Sequence, residues 1–217
     1  MIPLLILGAS GTARDVLDWL PALGAAGHEY RCLGLLDDDP AKRGIDVGGA
    51  AVLGGLSEAE RWAEAVFVDA LGGPRSYRRR AEMVGRTGLA RGRFVTLVHP
   101  TAVVSPRASV GVGALVYPFT LLGPGVRLGD HVTVLSHGSI NHDASIGDGS
   151  ILAAHVVLAG GVTVEDHCYL GAGARIRQGV RVGSGAMVGM GAVVLDDVAA
   201  GATVAGNPAR LLPGRPT

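Results

Sequence analysis

The sequence predicts two architectures joined in one chain: an α/β unit with a small parallel sheet over residues 1–97, and a solenoid of short strands from residue 98. Three observations carry this. Aliphatic residues recur at every sixth position from Val98 to Val194 without an exception. Glycine is abundant, at 35 of 217 residues, while aromatic residues make up only 4%. The first 97 residues lack the repeat and instead alternate apolar runs with turns and a helical pattern.

The repeat governs the fold. The positions are Val98, Val104, Val110, Val116, Leu122, Leu128, Val134, Ile140, Ile146, Leu152, Leu158, Val164, Leu170, Ile176, Val182, Val188 and Val194. With Val, Ile and Leu at roughly a quarter of the chain, chance gives such a run about once in ten billion trials. Mostly small residues stand two places earlier, as at Ala108, Ala144, Cys168 and Ala186, and glycine often follows, as at Gly111, Gly147 and Gly183. A helix repeats at about 3.6 residues and a plain strand at 2. A period of six fits a coil in which each hexapeptide makes one strand and one turn, with the aliphatic inside and the glycine or a polar residue at the corner. A core poor in aromatic rings is then built from Val, Leu, Ile and Ala.

In the first 97 residues, Ile2–Leu7 is a continuous apolar run, as a buried parallel strand requires. Gly8-Ala9-Ser10-Gly11 follows, then a helical pattern through Val16, Leu17 and Leu20. Arg31–Leu36 and Ala65–Leu71 are further strand runs, ending at Asp37-Asp38-Asp39 and Gly72-Gly73-Pro74. A basic helix over Arg75–Arg86 leads to a strand at Arg93–Val98. This is βαβ order and predicts a Rossmann-like unit. Past Ala200 the repeat stops, and Leu211–Thr217 reads as a tail.

Composition narrows the function. Lys and Arg total 19 against 19 Asp and Glu, so the basic surplus of a nucleic-acid binder is missing. Mean hydropathy is +0.36, yet no apolar run approaches the roughly 18 residues of a membrane span. The opening apolar run is too short for a secretion signal. Cys32 and Cys168 stand far apart, so no disulfide framework is implied and a cytoplasmic location is expected.

The glycine turn opens a helix, where free N–H groups and the helix dipole favour an anion. It does not meet Gly-x-Gly-x-x-Gly, because Ser10 and Ala13 occupy the second and third glycine places. Gly8, Ser10, Gly11, Asp37 and Asp38 are the candidate substrate-binding residues, against a plain tight turn with solvated acids.

The hexapeptide repeat resembles that of acyltransferases built on a left-handed parallel β-helix, three hexapeptides to a coil of 18 residues. Gly206-Asn207-Pro208-Ala209-Arg210 resembles the Gly-x-Pro-Ala-Arg/Lys ending of that family's acetyl-CoA users. The whole chain, an α/β unit over 1–97 followed by a β-helix with a tail over 98–217, is similar to the sialic-acid O-acetyltransferase and UDP-4-amino-sugar N-acetyltransferase family. The resemblance implies transfer of acetyl from acetyl-CoA to a sugar amine or hydroxyl, a nucleotide-sugar acceptor at the N-terminal turn, a homotrimer with sites between subunits, and no metal. The chain departs from the family at Thr12-Ala13-Arg14, where a His is usual after the turn.

Seven histidines are present, and five fall between 131 and 167. Asn141-His142-Asp143-Ala144-Ser145-Ile146-Gly147-Asp148 resembles the family's His-Asp/Glu-x-x-Ile-Gly-Asp segment, whose His is the proposed general base. Acetyl transfer needs one, and imidazole titrates near neutral pH. Asp143 is the adjacent carboxylate, although successive strand residues point to opposite sides. The family's second His, nine residues on, is Ile151 here. His155 is left either to contact the thioester or to stack on His137, 18 residues before it.

By family position, Gly160, Ala172, Gly173, Gly189 and Gly191 are candidates to line the pantetheine arm of acetyl-CoA, with Arg210 near a phosphate. Two other classes stay open. His137-x4-His142 also resembles the paired zinc histidines of γ-type carbonic anhydrases. A non-catalytic sugar-nucleotide-binding protein is the third.

Overall fold

The computed structural model describes residues 1–212. Ile2–Leu7 forms β1 and Gly11–Ala25 forms α1. The sheet adds β2 (Tyr30–Leu36), β3 (Asp46–Val47), β4 (Ala50–Gly54) and β5 (Val66–Asp69), in the order β3–β4–β2–β1–β5. β1 pairs in parallel with both β2 and β5, and β3–β4 is an antiparallel ribbon at the edge. Leu4, Leu5, Ile6 and Leu7 are fully buried, which explains the unbroken apolar run.

From residue 97 every hexapeptide forms one two-residue strand. Strands 18 residues apart pair in parallel, so the chain winds around three faces. Face one starts at Leu97–Val98, face two at Val103–Val104 and face three at Ser109–Val110. All seventeen aliphatics are the second residue of their strand. From Val116 to Val194 each is buried, worth about 1.5–3 kcal/mol apiece. Val98, Val104 and Val110 are only half-buried, because they form the first coil and no earlier coil covers them.

The corners obey a rule of their own. Every sixth residue from 113 to 191 has positive φ, including the non-glycine residues Phe119, His131, His137, Asp143, His155 and His167. The corner residue is therefore the third after the aliphatic, which corrects the expectation that the glycine directly after it makes the turn. That glycine answers a different need. A Cβ on Gly147, for example, would collide with the backbone and carboxylate of Asp166 in the next coil.

Other expectations are also corrected. Arg75–Arg86 is helical only over α2 (Arg80–Gly85), preceded by a tight turn at Tyr77–Arg79. That turn directs Tyr77 Oη and Arg78 Nε to the Gly185 carbonyl of the β-helix, at 3.1 and 2.9 Å. Arg93–Val98 is a strand only at Leu97–Val98; Arg91–Arg93 is a turn whose Arg93 guanidinium donates to the Trp62 and Ala65 carbonyls. Arg210–Leu211 pairs with Thr203–Ala205, so the tail begins as a strand; its remainder from 213 lies outside the described residues. The N-terminal sheet packs on face one, where Leu97, Leu115 and Tyr117 share a core with Ile6, Val16 and Trp19.

Candidate active site

The coil geometry sorts the candidate residues by corner. The first corner, between faces one and two, carries Phe119, His137, His155, Gly173 and Gly191. The second, between faces two and three, carries Gly125, Asp143 and Gly161. The third, leading back to face one, carries His131, Gly149 and His167.

His142 and Asp143 occupy the second corner. Asp143 has φ 61°, the left-handed region where Asp, Asn and His are the side chains best tolerated. This reverses the strand-like expectation that neighbours diverge. His142 Nδ1 lies 3.0 Å from Asp143 Oδ2. A carboxylate only accepts, so Nδ1 carries the proton and Nε2 presents its lone pair. Nε2 has no hydrogen bond among the described residues, and the side chain is 59% exposed.

The segment of eight residues that carries His142 divides its work. Asn141 Nδ2 donates to the Leu158 carbonyl at 2.6 Å and anchors the base to the next coil. Ile146 is core. Asp148 belongs to the third corner, where it accepts the Asp130 N–H at 2.8 Å, as Asp166 accepts that of Asp148 at 2.9 Å. Asp148 thus couples coils and lies away from the base.

Gly160 shares the second corner with His142, and a Cβ there would collide with Cε1 and Nε2 of the imidazole. The other residues expected to hold the donor are elsewhere. His155 is on the first corner, its ring stacked on His137 at 4.8 Å with Phe119 next in line at 5.2 Å from His137. One chain therefore does not bring His155 to His142, nor His137 to His142. Above His155 the ladder stops: a Cβ on Gly191 meets nothing within 4 Å, and one on Gly173 meets only Gly191 at 3.9 Å. Gly173 and Gly191 leave the space above His155 open, beside the exposed side chain of Met190. Gly189 is small for another reason, since a Cβ there would stand 2.7 Å from that of Ala205. Arg210 is exposed beyond the last coil, its guanidinium on the Ala209 carbonyl. Among the described residues no three His, Cys, Asp or Glu side chains converge on a metal position.

The N-terminal candidates also separate. A cavity of about 220 Å³ is lined by Ser10, Gly11, Thr12, Leu71, Gly72, Gly73 and Pro74, and across the joint by Thr133, Leu135, Ile151 and Tyr169. It opens beside the C-terminal ends of β1 and β5, where the strand order reverses, the place ligands take in open parallel sheets. Ser10 does not cap α1 with its side chain, and first-turn N–H groups have no intrahelical partner. Asp37 and Asp38 are not part of the lining. Asp37 Oδ2 accepts the Ala9 N–H at 2.8 Å and Lys42 Nζ at 2.9 Å. Partial burial pushes its carboxyl up, but Lys42 and the N–H groups of Asp39 and Ala9 outweigh this and hold it below the usual range. Asp38 accepts the Leu56 N–H and pairs with Arg86. Asp37 thus braces the turn, whereas Asp38 ties the segment at Leu56 to Arg86; Thr12, Thr133 and Tyr169 join the lining without having stood out in the sequence.

Comparison with known proteins joins these observations. The family model for the hexapeptide repeat of succinyl-transferase matches residues 161–196. No curated protein matches in sequence. The acetyltransferase domain of PglB from Neisseria gonorrhoeae FA1090 superposes with a TM-score of 0.84 at 31% identity, over 98% of this chain and 100% of that one. The chain belongs to the hexapeptide-repeat sugar acetyltransferases. The enzyme is also similar to PerB from Caulobacter crescentus, solved with CoA and GDP-perosamine, with a TM-score of 0.83 and 29% identity over 97% of each chain. WeeI from Acinetobacter baumannii AYE matches at 0.64 and 25% identity, over 98% of the enzyme and 100% of that chain. These neighbours and the parallel strands of the enzyme fit a left-handed β-helix. No helix among its described residues is long and apolar enough to cross a membrane.

Proposed function

We propose that this acyltransferase moves the acetyl group of acetyl-CoA to the amine of a nucleotide-linked amino sugar, with His142 as general base. The observation that carries the reading is the imidazole held by Asp143 over Gly160, its Nε2 unengaged. The PglB domain has been solved with acetyl coenzyme A and PerB with CoA and GDP-perosamine, which favours an amine acceptor over a hydroxyl.

Acetyl-CoA, when bound, supplies an activated carbonyl carbon. The open backbone at Gly173 and Gly191 on the first corner, with the small Ala172 beside it, suits its thin arm. As the sugar nitrogen forms its bond to that carbon, His142 Nε2 takes the departing proton. Asp143 stabilises the resulting imidazolium, and the proton passes to the sulfur as the carbon–sulfur bond breaks. The N–H groups of the first turn of α1 present donors to the anionic part of the acceptor.

On this reading residues 1–97 hold the acceptor and 98–217 carry the transfer, in a cytoplasmic enzyme. The acceptor cavity sits on face one, whereas His142 stands on the corner between the other two faces. A neighbouring copy must then bring one to the other, which is the reason a homotrimer is part of the proposal. An acetyl-CoA consumption assay against GDP-, UDP- and dTDP-linked amino sugars and free sialic acid tests it. Turnover with a nucleotide-linked amino sugar is expected; turnover only with sialic acid, or none, contradicts it.

A further inference from the structure

A buried charged network at the joint of the N-terminal sheet and the β-helix has no part in the proposed chemistry. Asp69 ends β5 and is 0% exposed; Arg80 starts α2 and is 1% exposed. Arg80 Nε donates to Asp69 Oδ2 at 3.1 Å, and Nη2 donates to the Asp69 carbonyl at 3.3 Å and to Thr133 Oγ1 at 3.1 Å. His131 Nδ1 lies 2.9 Å from Asp69 Oδ2, and Asp69 Oδ1 accepts the Leu71 N–H at 3.0 Å.

Stability alone does not account for such a network. Buried ion groups can often be replaced by apolar ones without loss, and Arg80 Nη1 is buried with no partner among the described residues. The placement is more informative. Leu71, Gly72 and Thr133 all wall the cavity described above. A Cβ on Gly72 would stand 3.1 Å from Ile151 Cδ1 and 3.3 Å from Arg80 Cδ, so segment 71–73 is pressed between the arginine stem and the β-helix. Behind it, Arg80, His131 and His167 line a second cavity of about 390 Å³. Arg80 lines the second cavity, and its stem stands behind Gly72, which lines the first.

We propose that Arg80 is a positioning residue for the acceptor cavity, tying segment 71–73 to Thr133 so that the cavity keeps the width of a nucleotide-linked sugar. This rests on reading that cavity as the acceptor site. Lysine keeps the charge, but its single nitrogen does not reproduce the fork that joins Asp69 to Thr133.

The test uses the full-length protein and two variants: Arg80→Lys, and Asp69→Asn/Arg80→Met, which removes the buried charges should lysine fail to fold. Amide hydrogen exchange at residues 70–73, without substrate, reads the positioning directly. Steady-state kinetics with the accepted sugar nucleotide reads its consequence. Exchange at 70–73 is expected to quicken while the sheet strands stay protected, and acceptor KM to rise about tenfold, the effect of losing roughly 1.4 kcal/mol of binding. The kcat and the acetyl-CoA KM should hold within about twofold, a split that general loosening of the fold does not produce. Unchanged exchange at 70–73 in either folded variant overturns the proposal. Faster exchange with unchanged acceptor KM overturns it too, and locates the failure in the acceptor reading of the cavity. Failure of the wild type to transfer acetyl at all would be seen separately, in the substrate panel.

Discussion

His142 lies over Gly160, one coil further on, and the imidazole fills the space that a side chain at Gly160 would need. Gly160→Ala should therefore act on the base. The ring is exposed and can swing aside, so the melting temperature should change by no more than about 1 kcal/mol implies. Displacing the ring should lower kcat by about 10²-fold, as misplacement by an ångström can. Unchanged kcat in a folded Gly160→Ala enzyme would separate the glycine from the base.

Asp143 both turns the corner and orients the ring. Asparagine tolerates the same left-handed backbone, so Asp143→Asn should fold like wild type. Its amide can donate to the imidazole and favour the wrong tautomer, and kcat should fall by about 10²–10⁴-fold. Asp143→Ala adds backbone strain of about 1–2 kcal/mol, visible in chemical denaturation.

The register of the coils is testable in the core. Ile146 is 3% exposed, and Ile146→Asp buries an unpaired charge at a cost of several kcal/mol. Val104, in the half-open first coil, should tolerate the same change with clearly less loss. Equal melting of the two variants would contradict the register.

Acid stability should report Asp69. Burial pushes its carboxyl up, yet Arg80 and His131 outweigh burial and hold it below 3.8. A depressed carboxyl contributes stability above its unfolded-state value, and this is lost as pH falls through the folded-state value. Urea midpoints of the wild type should therefore drop below pH about 4 more steeply than those of Asp69→Asn/Arg80→Met. Parallel curves would show that Asp69 is not held ionised in the fold.

The six-residue period made the coils legible because each aliphatic faces a core that repeats identically; all seventeen stand where the spacing puts them. The corners were less legible. Six of the fourteen positive-φ positions carry side chains rather than glycine, so composition alone pointed to the glycine after the aliphatic, whose constraint is the close passage of the next coil. His142 and Asp143 were readable as a local pair. The separation of His155 from them was not, because 13 residues in sequence correspond to a different corner in space. The joint was invisible for a related reason. Asp69, Arg80, His131 and Thr133 have no mutual spacing in sequence and meet only when the sheet docks on face one. That Lys42, Arg86 and three backbone N–H groups engage Asp37 and Asp38 was not legible either, because Ala9, Leu56 and Arg86 come from separate segments of the chain.

On the proposed reading His142 removes the acceptor's proton. The most direct measurement is single-turnover acetyl transfer by His142→Ala, alongside its acetyl-CoA affinity. The rate is expected to fall by about 10²–10⁴-fold, the usual share of general-base catalysis, with donor affinity and melting temperature close to wild type. A His142→Ala enzyme that transfers acetyl at the wild-type rate would contradict it.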